Sequence, residues 1–216
     1  GENSQILYIL SCENGLVKGL SRLKKNNNLI NFDKVIFTWS SRSQNALGYI
    51  NFEQERPNNF NNYFFSIIKA SMSELCMNFL PPWEKNLQIY NDSIQLTLLE
   101  SKEDCFLAKE YIKWEINFLK NIGYGFNLDT CSVSGKTIDT HFISPRTGNA
   151  VCFEVGKKYS KKLFKIPLCM KDNFKADIYP DYLEAMKITG YFLLKILEKE
   201  KKFIFRNRII EKISNL

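Results

Sequence analysis

The sequence predicts an α+β protein in which an N-terminal β region precedes a helical region. Residues 1–58 hold short runs of aromatic and branched residues separated by turn residues, a pattern typical of short strands. Residues 59–216 mostly repeat apolar residues at helical spacing, and a small β insert interrupts them at about residues 126–156. We therefore expect two domains, residues 1–58 and residues 59–216, with the insert inside the second.

The β region is expected to form a small sandwich or barrel, because several short strands alternate with turn signals. Gly19 is predicted to break the second strand, and the polar residues from Ser21 to Asn28 are predicted to form an exposed loop. The predicted strands are Gln5–Leu10, Leu16–Leu20, Val35–Trp39 and Gly48–Phe52.

The helical region is predicted to contain three helices before the insert, over residues 63–80, 82–100 and 102–122. Pro81 and Pro82 end the first, because the proline ring blocks continuation of a helix. Gly123 ends the third. In the insert, residues 141–143 and 150–153 flank a turn sequence and predict a hairpin. A helix follows Pro180, and a last basic helix or tail covers residues 201–216.

Positive charge is concentrated toward the C-terminal end of the chain. The net charge is +7, and residues 156–216 hold 15 basic and 7 acidic groups, against 8 and 11 for residues 60–155. Such a surplus suits a polyanionic partner. The last third contains two basic clusters, each of which is either a solvated face or a phosphate-binding surface: Lys157, Lys158, Lys161, Lys162 and Lys165, and then Lys199, Lys201, Lys202, Arg206 and Arg208.

The β region carries its own candidate phosphate-binding residues. Lys18, Arg22, Lys24 and Lys25 are predicted on one connection, and Arg42 on another. Exposed cations beside aromatic rings are the combination that single-strand binders use. The nearby aromatic residues Trp39, Tyr49 and Phe52 are expected in the core rather than as stacking platforms.

No pattern in the sequence indicates an active site. G-x-S-x-G, H-E-x-x-H and G-x-x-x-x-G-K are absent, and His141 is the single histidine. Pairing of His141 with a cysteine is formally possible, but no local signature supports it. We therefore expect no enzyme, no catalytic residue and no cofactor.

The cysteines are interpreted as reduced thiols rather than metal ligands. A zinc ribbon needs two C-x-x-C pairs, but Cys131 is followed three residues later by Ser134 and Cys152 by Val155. No metal is predicted, and both cysteines are expected to be core thiols. The sequence has neither a secretory signal nor an apolar stretch long enough to span a membrane, so a cytoplasmic protein is expected.

Several motifs in order resemble the bacterial RecO family of DNA repair and recombination mediators. They occur from the β region to the last long helix and keep the family's approximate spacing. They are Glu13-Asn14-Gly15-Leu16-Val17-Lys18-Gly19-Leu20-Ser21-Arg22, Tyr111-Ile112-Lys113-Trp114-Glu115, Gly123-Tyr124-Gly125-Phe126-Asn127-Leu128, Cys131-Ser132-Val133-Ser134-Gly135, Ser144-Pro145-Arg146-Thr147-Gly148 and Ile188-Thr189-Gly190-Tyr191-Phe192.

The resemblance implies an N-terminal OB-fold β-barrel, a helical domain and an insert like a degenerate zinc ribbon, of which Cys131 and Cys152 are remnants. Family members normally begin with one further strand, so the barrel is expected to lack its first strand. Lys18 and Arg22 match the basic loop of the family's OB-fold. Extension of DNA binding to Lys24, Lys25 and Arg42 is inferred from their charge.

The resemblance also implies a function in homologous recombination and the repair of DNA damage. Family members bind single- and double-stranded DNA and anneal complementary strands. They work with RecR and single-stranded DNA-binding protein, and through them assist the loading of RecA. The alternative hypothesis is a protein–protein adaptor whose basic charge does not serve DNA binding.

Overall fold

The computed structural model describes residues 4–22, 29–43, 46–55, 62–99, 102–171, 174, 179–197 and 202–215. The chain divides into two compact units, residues 1–101 and 102–216. The predicted boundary between residues 58 and 59 falls within the first unit, outside the described residues, and stays a prediction. In the described part of the chain, no helix has the length and apolar character needed to cross a membrane.

The first unit begins with a four-stranded sheet. Its strands are β1 (Ser4–Ser11), β2 (Gly15–Arg22), β3 (Val35–Ser40) and β4 (Gly48–Gln54). They lie in the order β1-β2-β4-β3. The β1–β2 and β3–β4 pairs are antiparallel, whereas β2 and β4 pair in parallel. The four strands predicted from the sequence are therefore confirmed.

Strand β2 is longer than predicted. Gly19 was expected to break it, and Ser21 and Arg22 were expected in a loop, but all three lie within the strand. Gly19 pairs with Gly48 of β4, and a Cβ at position 19 would lie 2.7 Å from the side chain of Ile50. The glycine thus permits close packing inside a strand, which is one of the established uses of glycine in a sheet.

Alternation along the strands separates an inner from an outer face. The inner face packs Val17, Ile50 and Phe52 into a hydrophobic core with partly buried side chains from the neighbouring strands. Because successive side chains of a strand point to opposite faces, the residues between these core positions lie on the outer face. The register of the sheet therefore fixes which cations face solvent.

Two helices complete the described part of the first unit. Helix α1 (Tyr63–Phe79) begins at its N-cap Asn62, whose side chain accepts a hydrogen bond from the Phe65 amide, and ends before Pro81 as predicted. Helix α2 (Leu87–Thr97) begins five residues later than predicted. The helix starts later than predicted because Asn86 is its N-cap. The residues before Asn86 do not join the helix, and Pro82 instead forms a bridge with Leu16 of β2.

In the second unit, α3 (Asp104–Leu119) packs against α6 (Tyr179–Leu197) and α7 (Ile204–Ile213). The predicted α3 is confirmed to within a few residues. A π-helical turn (Lys120–Tyr124) follows it, and Gly123 adopts a positive φ of 91° there. Glycine suits this conformation because it has no Cβ to clash in the left-handed region.

A three-stranded sheet lies between α3 and α6 in the sequence. The predicted hairpin is present as β5 (Thr140–Ile143) and β6 (Ala150–Cys152), and Gly148 at φ 76° completes its turn. A third strand that was not predicted, β7 (Phe164–Lys165), pairs with the other side of β5. The short helices α4 (Phe153–Gly156) and α5 (Leu168–Lys171) flank this sheet.

The helices of the second unit enclose a buried ion pair. Arg206 of α7 donates from Nε to Glu115 Oε2 of α3 at 2.9 Å, and from Nη2 to Glu115 Oε1 at 2.9 Å. The Tyr111 and Thr189 hydroxyls also donate to this carboxylate, and Arg206 donates to the Met186 carbonyl. Both charges are almost fully buried. The expectation that Arg206 belongs to a surface cluster is therefore wrong.

Replacement of Arg206 by Ala is expected to reduce the free energy of unfolding by about 3–5 kcal/mol, because the Glu115 carboxylate would stay buried without its partner. Urea denaturation followed by circular dichroism measures the change. The matched control is Lys187→Ala, which removes the exposed ion pair to Glu184 at 2.5 Å and should alter stability by less than ~1 kcal/mol. Equal losses in the two variants would contradict the role assigned to the buried pair.

Candidate nucleic-acid interface

The outer sheet face is the surface on which the first unit presents charge and aromatic rings together. The cross-strand register places Tyr8 opposite Lys18, Ile6 opposite Leu20, and Leu20 beside Tyr49. We use the name outer sheet face for the side chains that alternate with the core positions of the four strands: Ser4, Ile6, Tyr8, Lys18, Leu20, Arg22, Tyr49, Asn51, Glu53, Ser40, Thr38 and Ile36.

Lys18 and Arg22 lie on this face, four residues apart on β2. They were predicted on a connection, and the structure corrects this placement because β2 continues through Gly19. Lys18 Nζ lies 5.4 Å from the centroid of the Tyr8 ring, and Arg22 is exposed at the end of the strand. A strand holds the two cations at a fixed spacing, whereas a loop would not.

Two exposed tyrosines accompany the cations. Tyr49 is 60% exposed and Tyr8 is 41% exposed. The expectation that Tyr49 belongs to the core is wrong, because its neighbour Ile50 occupies the inward position on β4. Tyr8 was not among the candidate residues predicted from the sequence. The sequence did contain a signal for the exposure of Tyr8. Ile6 and Tyr8 alternate with Leu7 and Ile9 along β1, so one of these two pairs must lie on the outer face of the sheet.

The combination of groups on the outer sheet face suits a nucleic-acid strand. Cations attract phosphates, and flat exposed rings offer stacking surfaces to bases. Glu53 also lies on this face and adds negative charge. It is on β4, opposite Ile36 of β3, and therefore lies on the side of the sheet away from Lys18. The positively charged part of the face is therefore the part formed by β1, β2 and the start of β4.

Arg42 occupies a different place. It follows β3, is exposed, and lines a cleft with Trp39, Trp83 and two serines. We call this the Trp39–Trp83 cleft. The structure thus brings Lys18 and Arg22 together on one face but does not place Arg42 beside them. Lys24 and Lys25 lie outside the described residues.

The late lysine cluster is exposed in the second unit. Lys157, Lys158, Lys161 and Lys162 lie on a 3-10 helix (Lys157–Lys162) rather than on a longer α-helix, and Lys165 lies on β7. Contact of this cluster with DNA stays a prediction. In the terminal cluster Arg206 is buried, Lys202 and Arg208 are exposed, and Lys199 and Lys201 are outside the described residues.

Cys131 and Cys152 lie side by side in the core of the small sheet, packed with Phe142 and Val151. The Cys152 amide donates to Cys131 Sγ at 3.2 Å, and the Ser134 hydroxyl lies 3.5 Å from Cys152 Sγ. Val155 supplies no donor atom, so the set is two sulfurs and one hydroxyl. These residues do not fit the four soft ligands of structural zinc. Among the described residues, no group of three or more His, Cys, Asp or Glu side chains is placed to hold a metal ion.

The turn after Cys131 favours its thiolate. Burial acts to raise the pKa of this thiol, but hydrogen bonds from the Ser134 side chain and from the amides of Cys152, Ser134 and Val133 lower the pKa from 9.0 to about 6. By contrast, burial raises the pKa of the Cys76 thiol to about 12. His141 is half-buried, with its ring against the rings of Phe142 and Phe153.

Titration of Cys131, followed by the ¹³C chemical shift of its Cβ, should show a midpoint near pH 6. The Ser134→Ala variant should titrate at higher pH because one hydrogen bond to the sulfur is lost. Since the folded-state pKa is depressed, this group should add stability that is present above pH 9 and lost as the pH falls toward 6. Cys76 serves as the control that stays protonated. An unchanged midpoint in Ser134→Ala would contradict the hydrogen-bond explanation.

Comparison with known proteins assigns the chain to a family. A family model described as recombination protein O C terminal matches residues 62–202. A DNA repair protein RecO from Ehrlichia chaffeensis is 30% identical over 99% of this chain and 92% of its own length. Proteins of the same name from Wolbachia pipientis and Orientia tsutsugamushi are 29% and 30% identical over 91% and 98% of the chain, and 86% and 91% of their own lengths.

These matches extend over both units of the structure. The family model begins at Asn62, the N-cap of α1, and ends at Lys202. The next residue, Phe203, is the N-cap of α7. The relatives cover almost the whole chain, including the strands that carry the outer sheet face. The resemblance expected from the sequence motifs is confirmed, and the chain belongs to the RecO family of DNA repair proteins.

Proposed function

We propose that this chain is a non-enzymatic mediator of homologous recombination and DNA repair that binds single- and double-stranded DNA. The observation that carries the proposal is the outer sheet face, where Lys18 and Arg22 lie on one strand beside exposed Tyr8 and Tyr49. Such a face can neutralise phosphates and offer rings on which bases stack, and neither interaction requires a covalent step.

The topology of the sheet supports an OB-fold. The order β1-β2-β4-β3, with β2 and β4 parallel, corresponds in order and direction to four of the five strands of an OB barrel. OB-folds bind oligonucleotides through the strands and loops of one side of the barrel. In this assignment, β1 and β2 supply that side, and they are the strands that carry Tyr8, Lys18 and Arg22.

Annealing follows from the same electrostatics. Two complementary strands repel each other through their phosphates, and a protein that neutralises part of this charge lowers the repulsion. Base pairing then proceeds once the strands are held close together. Because bound cations replace condensed counterions, such binding weakens steeply as the salt concentration rises.

The partners are proposed from the family. The relatives are named DNA repair protein RecO, and membership of this family favours cooperation with RecR and single-stranded DNA-binding protein, and indirectly with RecA. A cytoplasmic location is consistent with a protein that binds DNA. No catalytic residue, cofactor or metal is assigned to the chain.

A second candidate is a protein–protein adaptor whose basic charge is not used on DNA. The exposed Val133 and Ile138 favour it, because both apolar side chains lie on the same stretch of the second unit, with 66% and 78% of their surfaces exposed. Retention of the chain by immobilised RecR, together with no affinity for DNA at low salt, would favour the adaptor over the mediator.

Replacement of Lys18 and Arg22 by Ala together should weaken binding to single-stranded DNA and reduce its dependence on salt. The slope of log affinity against log salt should fall by about 1.4 if each side chain contacts one phosphate, because each contact contributes ~0.7. Fluorescence anisotropy of labelled oligothymidylate over a series of KCl concentrations measures both effects.

The matched control is Lys34→Ala in the same unit. Lys34 forms an ion pair with Glu55 at 2.6 Å and does not lie on the outer sheet face, so its removal should leave the slope within error of the parent chain. An unchanged slope in the Lys18 and Arg22 double variant would place the DNA contacts elsewhere on the molecule.

A further inference from the structure

The Trp39–Trp83 cleft is a cavity with aromatic walls and a cation at its edge. The two indole rings are 4.6 Å apart between centroids and cross at 71°. Arg42, Ser41 and Ser43 line the same cleft, whose volume is about 620 Å³. The tryptophan pair also lines a second, smaller pocket together with Phe37 and Glu13. The cleft therefore combines flat apolar surface with hydroxyl and guanidinium groups.

Trp83 is held in an unusual position. Its backbone has a φ of 64°, and its side chain is 44% exposed. Left-handed backbone is uncommon for bulky residues, and such conformations persist only where the surrounding structure maintains them. Here the Trp83 amide donates to the Leu16 carbonyl at 3.1 Å. The close approach of this segment to β2 requires Gly15, because a Cβ there would collide with the Glu84 carbonyl group.

Trp39 forms the fixed wall of the cleft. Its indole Nε1 donates to the Lys18 carbonyl at 3.2 Å, and a Cβ at Gly48 would collide with its ring. Trp39 also packs against the core of the sheet. Trp39 thus packs against Trp83 edge to face, and the exposed part of Trp83 stays open to a flat ligand.

We propose that the Trp39–Trp83 cleft receives an unstacked base of single-stranded DNA, with the Arg42 guanidinium directed to a neighbouring phosphate. This inference rests on the proposed function. Stacking of bases on aromatic side chains tolerates any sequence because every base has a π face. Lys18 connects the two surfaces, since its side chain lies on the outer sheet face while its carbonyl holds Trp39.

The experiment compares oligothymidylate with an abasic oligomer of the same length, both labelled, on the full chain. The abasic oligomer keeps the phosphates and lacks the bases. We expect the parent chain to bind oligothymidylate more tightly than the abasic oligomer. Trp83→Ala should lose about tenfold in affinity for oligothymidylate, which corresponds to about 1.4 kcal/mol, and should bind the abasic oligomer as the parent does.

Two further variants control for folding and for loss of any exposed ring. Trp83→Phe keeps an aromatic face and should recover most of the lost affinity. Tyr63→Ala removes an aromatic side chain of the same unit that is 73% exposed and lies outside the cleft, so it should bind both oligomers normally. Circular dichroism confirms that each variant is folded.

The outcomes separate this inference from the proposed function. An unchanged affinity of Trp83→Ala for oligothymidylate would overturn the base-binding cleft while leaving the proposed function in place, because Tyr8 and Tyr49 of the outer sheet face can account for a preference of the parent chain for bases. Failure of the parent chain to bind either oligomer at low salt would contradict the proposed function, and the cleft proposal with it.

Discussion

The pairing of β2 with a neighbour on each side is the constraint on which the first unit depends. β2 is antiparallel to β1 and parallel to β4, so its side chains have fixed directions. Val17 enters the core while Lys18 and Arg22 face outward. A shift of one residue in this register would turn the cations inward and the core residues outward. The burial of the inner face therefore also determines the composition of the outer sheet face.

Glycines make this strand possible at two points. Gly19 lets Ile50 pack against the middle of β2, and Gly15 lets the segment before α2 approach the start of the strand. The second contact is the one that holds Trp83 beside Trp39. These two glycines thus help to position the cations of β2 and the partly exposed ring of Trp83.

Positively charged side chains have different environments in the two units. On β2, Arg22 is exposed and Lys18 is half-buried beside Tyr8, and both side chains lie on the outer sheet face. In the second unit Arg206 is buried and satisfied by Glu115, Thr189 and the Met186 carbonyl, so it joins α7 to α3 and α6. The net charge cannot distinguish a buried cation from one on the surface, because every arginine and lysine adds the same +1 to it. Only the burial of each side chain separates a structural cation from a candidate binding cation.

The sequence predicted those features that depend on local spacing. The four strands, α1, α3 and the β5–β6 hairpin follow from periodicity, prolines and turn residues. The continuity of β2, the exposure of Tyr49 and the burial of Arg206 depend on contacts between residues distant in the chain, which spacing does not encode. The contact between Trp83 and Trp39 also joins residues that are distant in the chain, and spacing does not predict it. The sequence therefore names Lys18 and Arg22 as candidates, whereas the surface around them becomes visible only in the structure.

Mapping of backbone amide chemical shifts during titration with oligothymidylate tests the central claim most directly. If DNA lies on the outer sheet face, the largest changes should occur at the amides of β1, β2 and the start of β4, around Tyr8, Lys18 and Tyr49. Changes confined to residues of the second unit, with none along β2, would contradict the claim that this sheet holds the strand.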